Sequence, residues 1–207
     1  MLLRREYPPP VELLAAPVLE GERYQNRPIY FSDVIVRREG DLVGGFEALR
    51  GRSWAYNDPL SHSGYNLTRY ELIRRGETGG FFGRVVEAGS HANALRLVAA
   101  GTVDAAAIDS QILAVEFRDS PELAKSLRVI DAFGPSTIQP MVVASRLPQE
   151  IKERMRALLF DLPRDERSRS ALGYGLVRRF APVADADYDD IRGMLGAAED
   201  SGFMTLR

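Results

Sequence analysis

The chain has 207 residues, enough for one large domain or two small lobes, and its 45% apolar content supports a buried core. Twenty-seven basic against twenty-nine acidic side chains leave a net charge of −2, which excludes a strongly cationic nucleic-acid binder. No apolar run reaches the roughly eighteen residues of a membrane-spanning helix, and the absence of cysteine removes disulfides, thiolate nucleophiles and cysteine-ligated zinc together.

The chain opens on Met1-Leu2-Leu3-Arg4-Arg5-Glu6 and runs into Pro8-Pro9-Pro10, without the apolar stretch of a secretory leader. Taken literally, it stays in the cytoplasm. Residues 11–18, VELLAAPV, predict a short buried strand, and 21–27 a polar turn. Residues 29–37 predict a longer strand, rich in β-branched and aromatic side chains. A glycine-bounded break at 40–45 precedes one helical turn at 46–49. A strand at 52–56 then ends in the turn signal Asn57-Asp58-Pro59.

Residues 63–75 carry Leu67, Tyr70, Leu72 and Ile73 at helical spacing, closed by Gly76. A small strand at Val85-Val86 leads to a helix from Ser90 to Gly101. Residues 103–108, VDAAAI, form a continuous apolar strand of the kind buried on both faces of a parallel sheet. Asp109 or Ser110 caps the next helix, which runs to about Phe117. Strands at 127–133 and 141–144 flank the Gly134-Pro135 break. From Pro148 onward the spacing is helical, through Ile151, Met155, Leu158 and Leu159, with a shorter segment after Leu162-Pro163 and a last amphipathic helix at 187–198.

Strand–helix alternation from Trp54 to Phe133 predicts a parallel α/β sheet. Residues 46–137 then form a whole lobe, inserted between 1–45 and 138–207, which together make a discontinuous first lobe. Ligands of such open sheets collect at the carboxyl ends of strands.

The chemistry concentrates there. In Tyr56-Asn57-Asp58-Pro59-Leu60-Ser61-His62-Ser63-Gly64-Tyr65 a strand ends in a hydroxyl-rich loop that opens into a helix. Helix N-termini present N–H groups and partial positive charge, so an anion is welcome, and Ser61 and Ser63 add donors. A cap role for one serine is compatible with anion contact. Glu87-Ala88-Gly89-Ser90-His91 repeats the geometry, with His91 in the first helical turn, either facing the same cleft or held as a partly buried ring by a carbonyl. Asp109 reads as a helix cap and is also counted among the ligand-binding candidates at the strand's carboxyl end, and Gln111 either reaches the cleft or faces solvent.

YFSDVIVRRE, FEALRGRSWAYNDPLSHSGYN, EAGSHANALRLVAAGTVDAAAIDS and PSTIQPMVVASRLP resemble the phosphonate/phosphate/phosphite-binding proteins of ABC transporters over roughly residues 11–175. The resemblance implies a two-lobed type II periplasmic-binding-protein fold in the α/β class, each lobe a mostly parallel sheet flanked by helices. It implies a non-enzymatic solute-binding role in the interlobe cleft, an ABC permease as partner, no cofactor and a periplasmic or extracytoplasmic location. Hinges for lobe closure fall near 44–49 and 136–139. Ser61, His62, Ser63 and Gly64 match the family's run at the helix start that holds phosphoryl oxygens, and His91 matches a histidine on the same oxyanion. Tyr30 matches an aromatic that walls the cleft. Gln111 and Gln139 stand where members that bind aminoalkyl phosphonates carry acids for the ammonium. Neutral amides there imply a ligand without an ammonium: phosphate, phosphite, a simple alkylphosphonate or another tetrahedral oxyanion.

Relative to that family, Met1 falls close to the segment preceding VELLAAPV, so the first βα units of lobe one are expected to be missing. A misassigned start, an expressed fragment, or a shortened protein that forms a homodimer over the exposed edge would each account for this. Two other functions compete. A cytoplasmic ligand-sensing domain of the same fold fits the absent leader, although no helix-turn-helix precedes the lobes. A hydrolase would need Ser63, His91 and Asp109 as a triad, without any nucleophile-elbow pattern. Metal catalysis is weaker still, since two histidines and scattered carboxylates lack ligand spacing.

Overall fold

The computed structural model describes residues 9–40 and 44–206. In chain order the elements are β1 (Val11–Leu19), β2 (Ile29–Arg37), β3 (Ser53–Tyr56), α1 (Leu67–Arg74), β4 (Arg84–Glu87), α2 (His91–Ala99), β5 (Ala105–Asp109), α3 (Ser110–Asp119) and α4 (Pro121–Ser126). There follow β6 (Leu127–Thr137), β7 (Met141–Ala144), α5 (Gln149–Asp161), α6 (Glu166–Tyr174), β8 (Val177–Ala181) and α7 (Asp189–Ser201). Single 3₁₀ turns and one π turn, His62–Asn66, complete the set. No helix among the described residues is long and apolar enough to cross a membrane.

The chain divides into two compact units, described separately below. Unit 1 takes residues up to Tyr30 and Ser136–Asp189, and unit 2 takes Phe31–Pro135 with residues from Asp190 onward. The divisions therefore fall at 30/31, 135/136 and 189/190 rather than at 45/46 and 137/138. β2 joins unit 2 because it is laddered to β5, from Ser32↔Asp109 to Val36↔Ala105. The C-terminal stretch joins it because Phe203 and Leu206 sit in the same apolar cluster as Trp54.

Unit 1 is built on a three-stranded sheet in the order β7–β1–β8, and both pairings are antiparallel. This corrects the expectation of a mostly parallel sheet in each lobe. The pairings join segments more than a hundred residues apart, and no local pattern announces their direction. Strand β8, VRRFA, has no counterpart in the sequence reading, because two arginines interrupt its apolar alternation. Lys152 of α5 is 5% exposed and pairs with Glu12 of β1 while donating to Ser145 O at 2.7 Å. Such a buried lysine is tolerated because carboxylate and carbonyl both face it.

Unit 2 holds a five-stranded sheet in the order β4–β3–β5–β2–β6. β3 runs parallel to β4 and β5, and β2 runs antiparallel to β5, so the sheet is mixed. Side chains alternate between two cores, as the two-residue repeat of a strand demands. Val34, Val36, Trp54, Ala105 and Ala107 join Phe46, Phe81, Phe82, Phe133, Leu67 and Leu72 on one side. Ile35, Ala55, Ala106 and Ile108 join Ala94, Leu95, Val98, Leu113 and Leu127 on the other. Burial of both faces explains why 105–108 reads as an unbroken apolar run. The Gly134-Pro135 pair does not end its strand: Gly134 takes φ 111°, a conformation open to glycine, and β6 continues to Thr137.

Candidate oxyanion site in unit 2

β3, β4 and β5 lie side by side and parallel, and each leads into a helical segment whose start is capped by its own side chain. Ser61 Oγ accepts from Gly64 N at 3.2 Å, and Ser90 Oγ accepts from Asn93 N at 3.1 Å. Asp109 Oδ1 accepts from Gln111 N at 2.8 Å and from Ile112 N at 3.4 Å. Three helix N-termini therefore gather at one carboxyl edge of the sheet, where backbone donors and the helix dipoles favour negative charge.

The segment after β3 does not wind as an ordinary α-helix at first. Asn66 N donates to Ser61 O at 3.0 Å, and Leu67 N donates to His62 O, both reaching back five residues. This single π turn carries Ser63 and Gly64, both buried. Single π turns are rare and concentrate at functional sites.

Ser63 Oγ lies 3.0 Å from His91 Nε2, joining the first two βα turns. Ser63 is 3% exposed and His91 7%. His91 Nδ1 is buried and has no hydrogen-bond partner among the described residues. Burial pushes both His62 and His91 down to about 4, so the rings are neutral at pH 7. Gly64 is required by contact: a Cβ there would stand 1.9 Å from Asn57 Oδ1 and 3.3 Å from His91 Cε1. Asn57 Oδ1 is itself buried and without a hydrogen-bond partner among the described residues.

Ser32 ties the third turn to the first. Its hydroxyl donates to Ser63 O at 2.6 Å, and its residue pairs in register with Asp109. Ser110 Oγ accepts from Phe31 N at 3.1 Å, which fixes β2 against the start of α3.

Of the residues expected from sequence, Ser61, His62, Ser63, Gly64 and His91 come together in this arrangement. Asp109 caps α3 with its carboxylate, as its position predicted, and Gln111 is half-buried in the first turn of that helix. Tyr30 and Gln139 fall in unit 1. Tyr30 is 1% exposed, and Gln139 is exposed between β6 and β7. Sequence reasoning missed Ser32 and Asn57. A serine inside the apolar run IYFSDVIV was a visible signal for the first. A catalytic triad does not form, because the ring nitrogen that would meet Asp109 has no partner and Asp109 serves backbone amides instead. No group of three or more potential metal ligands is gathered among the described residues.

Residues 2–188 match the model of a family described as "ABC transporter, phosphonate, periplasmic substrate-binding protein". The fold is similar to the binding-protein component of an ABC phosphonate transporter from Pseudomonas aeruginosa, at TM-score 0.80 and 21% identity, over 95% of this chain and 66% of that one. It is also similar to PhnD1 from Prochlorococcus marinus in complex with methylphosphonate, at TM-score 0.75 and 17% identity, over 94% of this chain and 72% of that one. A Xanthomonas citri protein bound to chloride ion matches at TM-score 0.69 and 18% identity, over 92% and 70%. The chain thus spans just under two thirds of the length of the Pseudomonas protein.

Proposed function

The chain belongs to the phosphonate family of periplasmic ABC-transporter substrate-binding proteins, and from that premise we propose that it binds a small tetrahedral oxyanion at the three helix starts of unit 2. The class is phosphonate, phosphite or phosphate, and the bound solute is handed to an ABC permease. The observation that carries this reading is the His91 ring. One nitrogen is held by Ser63 and the other is buried without a partner among the described residues, beside the N-terminus of a π turn. If the Ser63 hydroxyl donates to Nε2, the ring proton sits on Nδ1, and in this reading that buried donor is the one that meets a phosphoryl oxygen. Ser61, His62, Ser63 and Gly64 supply the remaining donors through hydroxyls and backbone amides. The methylphosphonate seen in the Prochlorococcus protein supports the ligand class.

The ligand lacks an ammonium group. Gln111, the residue of α3 proposed to meet the far end of the ligand, is a neutral amide and offers no charge pairing.

Thermal-shift titration against phosphate, phosphite, methylphosphonate, sulfate and 2-aminoethylphosphonate tests the reading. One of the ammonium-free phosphorus oxyanions should raise the melting temperature with the logarithm of its concentration above Kd. Ser63→Ala and His91→Ala should each remove that shift. Undiminished shifts in both variants would show that the site is elsewhere. Calorimetry that ranks 2-aminoethylphosphonate tightest would overturn the ligand assignment alone.

A further inference from the structure

Residues 203–206 lie against the π turn. Phe203 and Leu206 are 2% and 4% exposed and share the apolar cluster of Trp54, Leu67 and Leu72. Between them Met204 is 46% exposed, while its carbonyl accepts from Arg69 Nη1 at 3.0 Å and from the Tyr65 hydroxyl at 3.5 Å. Leu206 N donates to the Tyr65 oxygen at 3.1 Å. Arg69 Nη2 in turn donates to Asn66 Oδ1 at 2.9 Å, on the last residue of the turn.

The position of Arg69 is telling. It is 4% exposed and sits in the turn of α1 that directly follows the π turn. Its place in the helix does not by itself account for a buried guanidinium. Holding Met204 O and Asn66 Oδ1 at once does, because one planar fork bridges the C-terminal stretch and the turn.

We infer that residues 203–206 are a strap that positions the oxyanion-binding turn, with the Tyr65 hydroxyl as its latch; the inference rests on the reading of that turn as the binding site. A turn that donates backbone amides to an anion binds weakly if it must first be ordered, since the ordering cost is subtracted from affinity. The strap removes that cost from the ligand-binding step. Tyr65 and Arg69 are thus positioning residues that touch no ligand.

Tyr65→Phe keeps the ring and deletes the latch. In the ligand-free protein, amide hydrogen exchange across 62–66 should quicken, and calorimetry with methylphosphonate should show binding weaker by about fivefold to tenfold, the worth of one buried hydrogen bond. Met204→Ala trims an exposed side chain and leaves the carbonyl, so it should change neither quantity. Wild-type exchange across 62–66 in Tyr65→Phe overturns the strap, and so does faster exchange with unaltered affinity. If wild type binds none of the oxyanions, the functional reading fails while the exchange measurement still decides whether the strap orders the turn.

Discussion

The two units spend their apolar residues differently. In unit 2 the aromatic side chains pack on one another: Phe46 stacks on Phe81 at 5.0 Å, Trp54 stacks on Phe82 at 4.7 Å, and Phe133 meets Phe46 edge-on at 5.0 Å. In unit 1, Met141, Val142, Leu147, Ile151, Met155, Leu158 and Tyr174 all stand exposed. Ile151, Met155 and Leu158 recur at the spacing of one face of α5. The two edge strands of unit 1 also differ. β8 carries Arg178 and Arg179, charges that discourage strand addition, whereas β7 is uncharged MVVA. The candidate oxyanion site therefore stands on the unit whose packing is closed on both faces of its sheet, which is what a preorganised site requires.

The largest effect expected from this contrast is in the core of unit 2. Trp54 is fully buried, so Trp54→Ala should cost about 3–5 kcal/mol in denaturant unfolding. A loss below about 1 kcal/mol would mean that the aromatic cluster is looser than its geometry suggests.

Acid should come next, and it should act on unit 2, which holds both histidines. Each imidazole titrates near 6.5 when unfolded and near 4 when folded, because burial disfavours the charged ring. The stability that depends on neutral rings is therefore complete above pH 6.5 and is lost as the pH falls toward 4. The loss is at most roughly 3 kcal/mol per histidine. Unfolding free energies measured between pH 7 and 4 should follow this slope, and His91→Gln should flatten it. A profile unchanged by that substitution would place the acid sensitivity elsewhere.

The smallest effect belongs to α5. Leu158 is 61% exposed, so Leu158→Ala should alter stability by less than about 0.5 kcal/mol. A cost above about 2 kcal/mol would break the comparison, because it would mean that the apolar stripe is covered in solution.

The sequence was most informative where local chemistry decides structure. The strand at 29–37 and the start of β1 at Val11 lie where the pattern of apolar residues puts them. Asp109 followed by a helix is legible as a cap, and so are the serines that open the helical segments after β3 and β4. The π winding was not legible, because His62–Asn66 looks like any helix start and only the hydrogen bonds reveal the extra residue. The antiparallel sheet of unit 1 and the strap were invisible for a different reason. Both join segments of high sequence separation, 11–19 with 141–144 and 177–181, and Tyr65 with 204–206. Pairings of that kind leave no periodic trace in either partner.

The π turn also has a meaning in the language of insertions and deletions. An α-helix advances about 100° per residue, so a π turn amounts to one residue more than regular winding needs. Loss of a single residue from 62–66 would restore ordinary winding, and because the wide turn had absorbed the extra residue, the chain on either side would keep its direction while the residues inside the turn shifted. Ser63 would leave the His91 ring while the helix, its core contacts and the fold survived. The proposed oxyanion contacts thus hang on a single inserted residue, and a one-codon deletion would separate them from the helix that carries them.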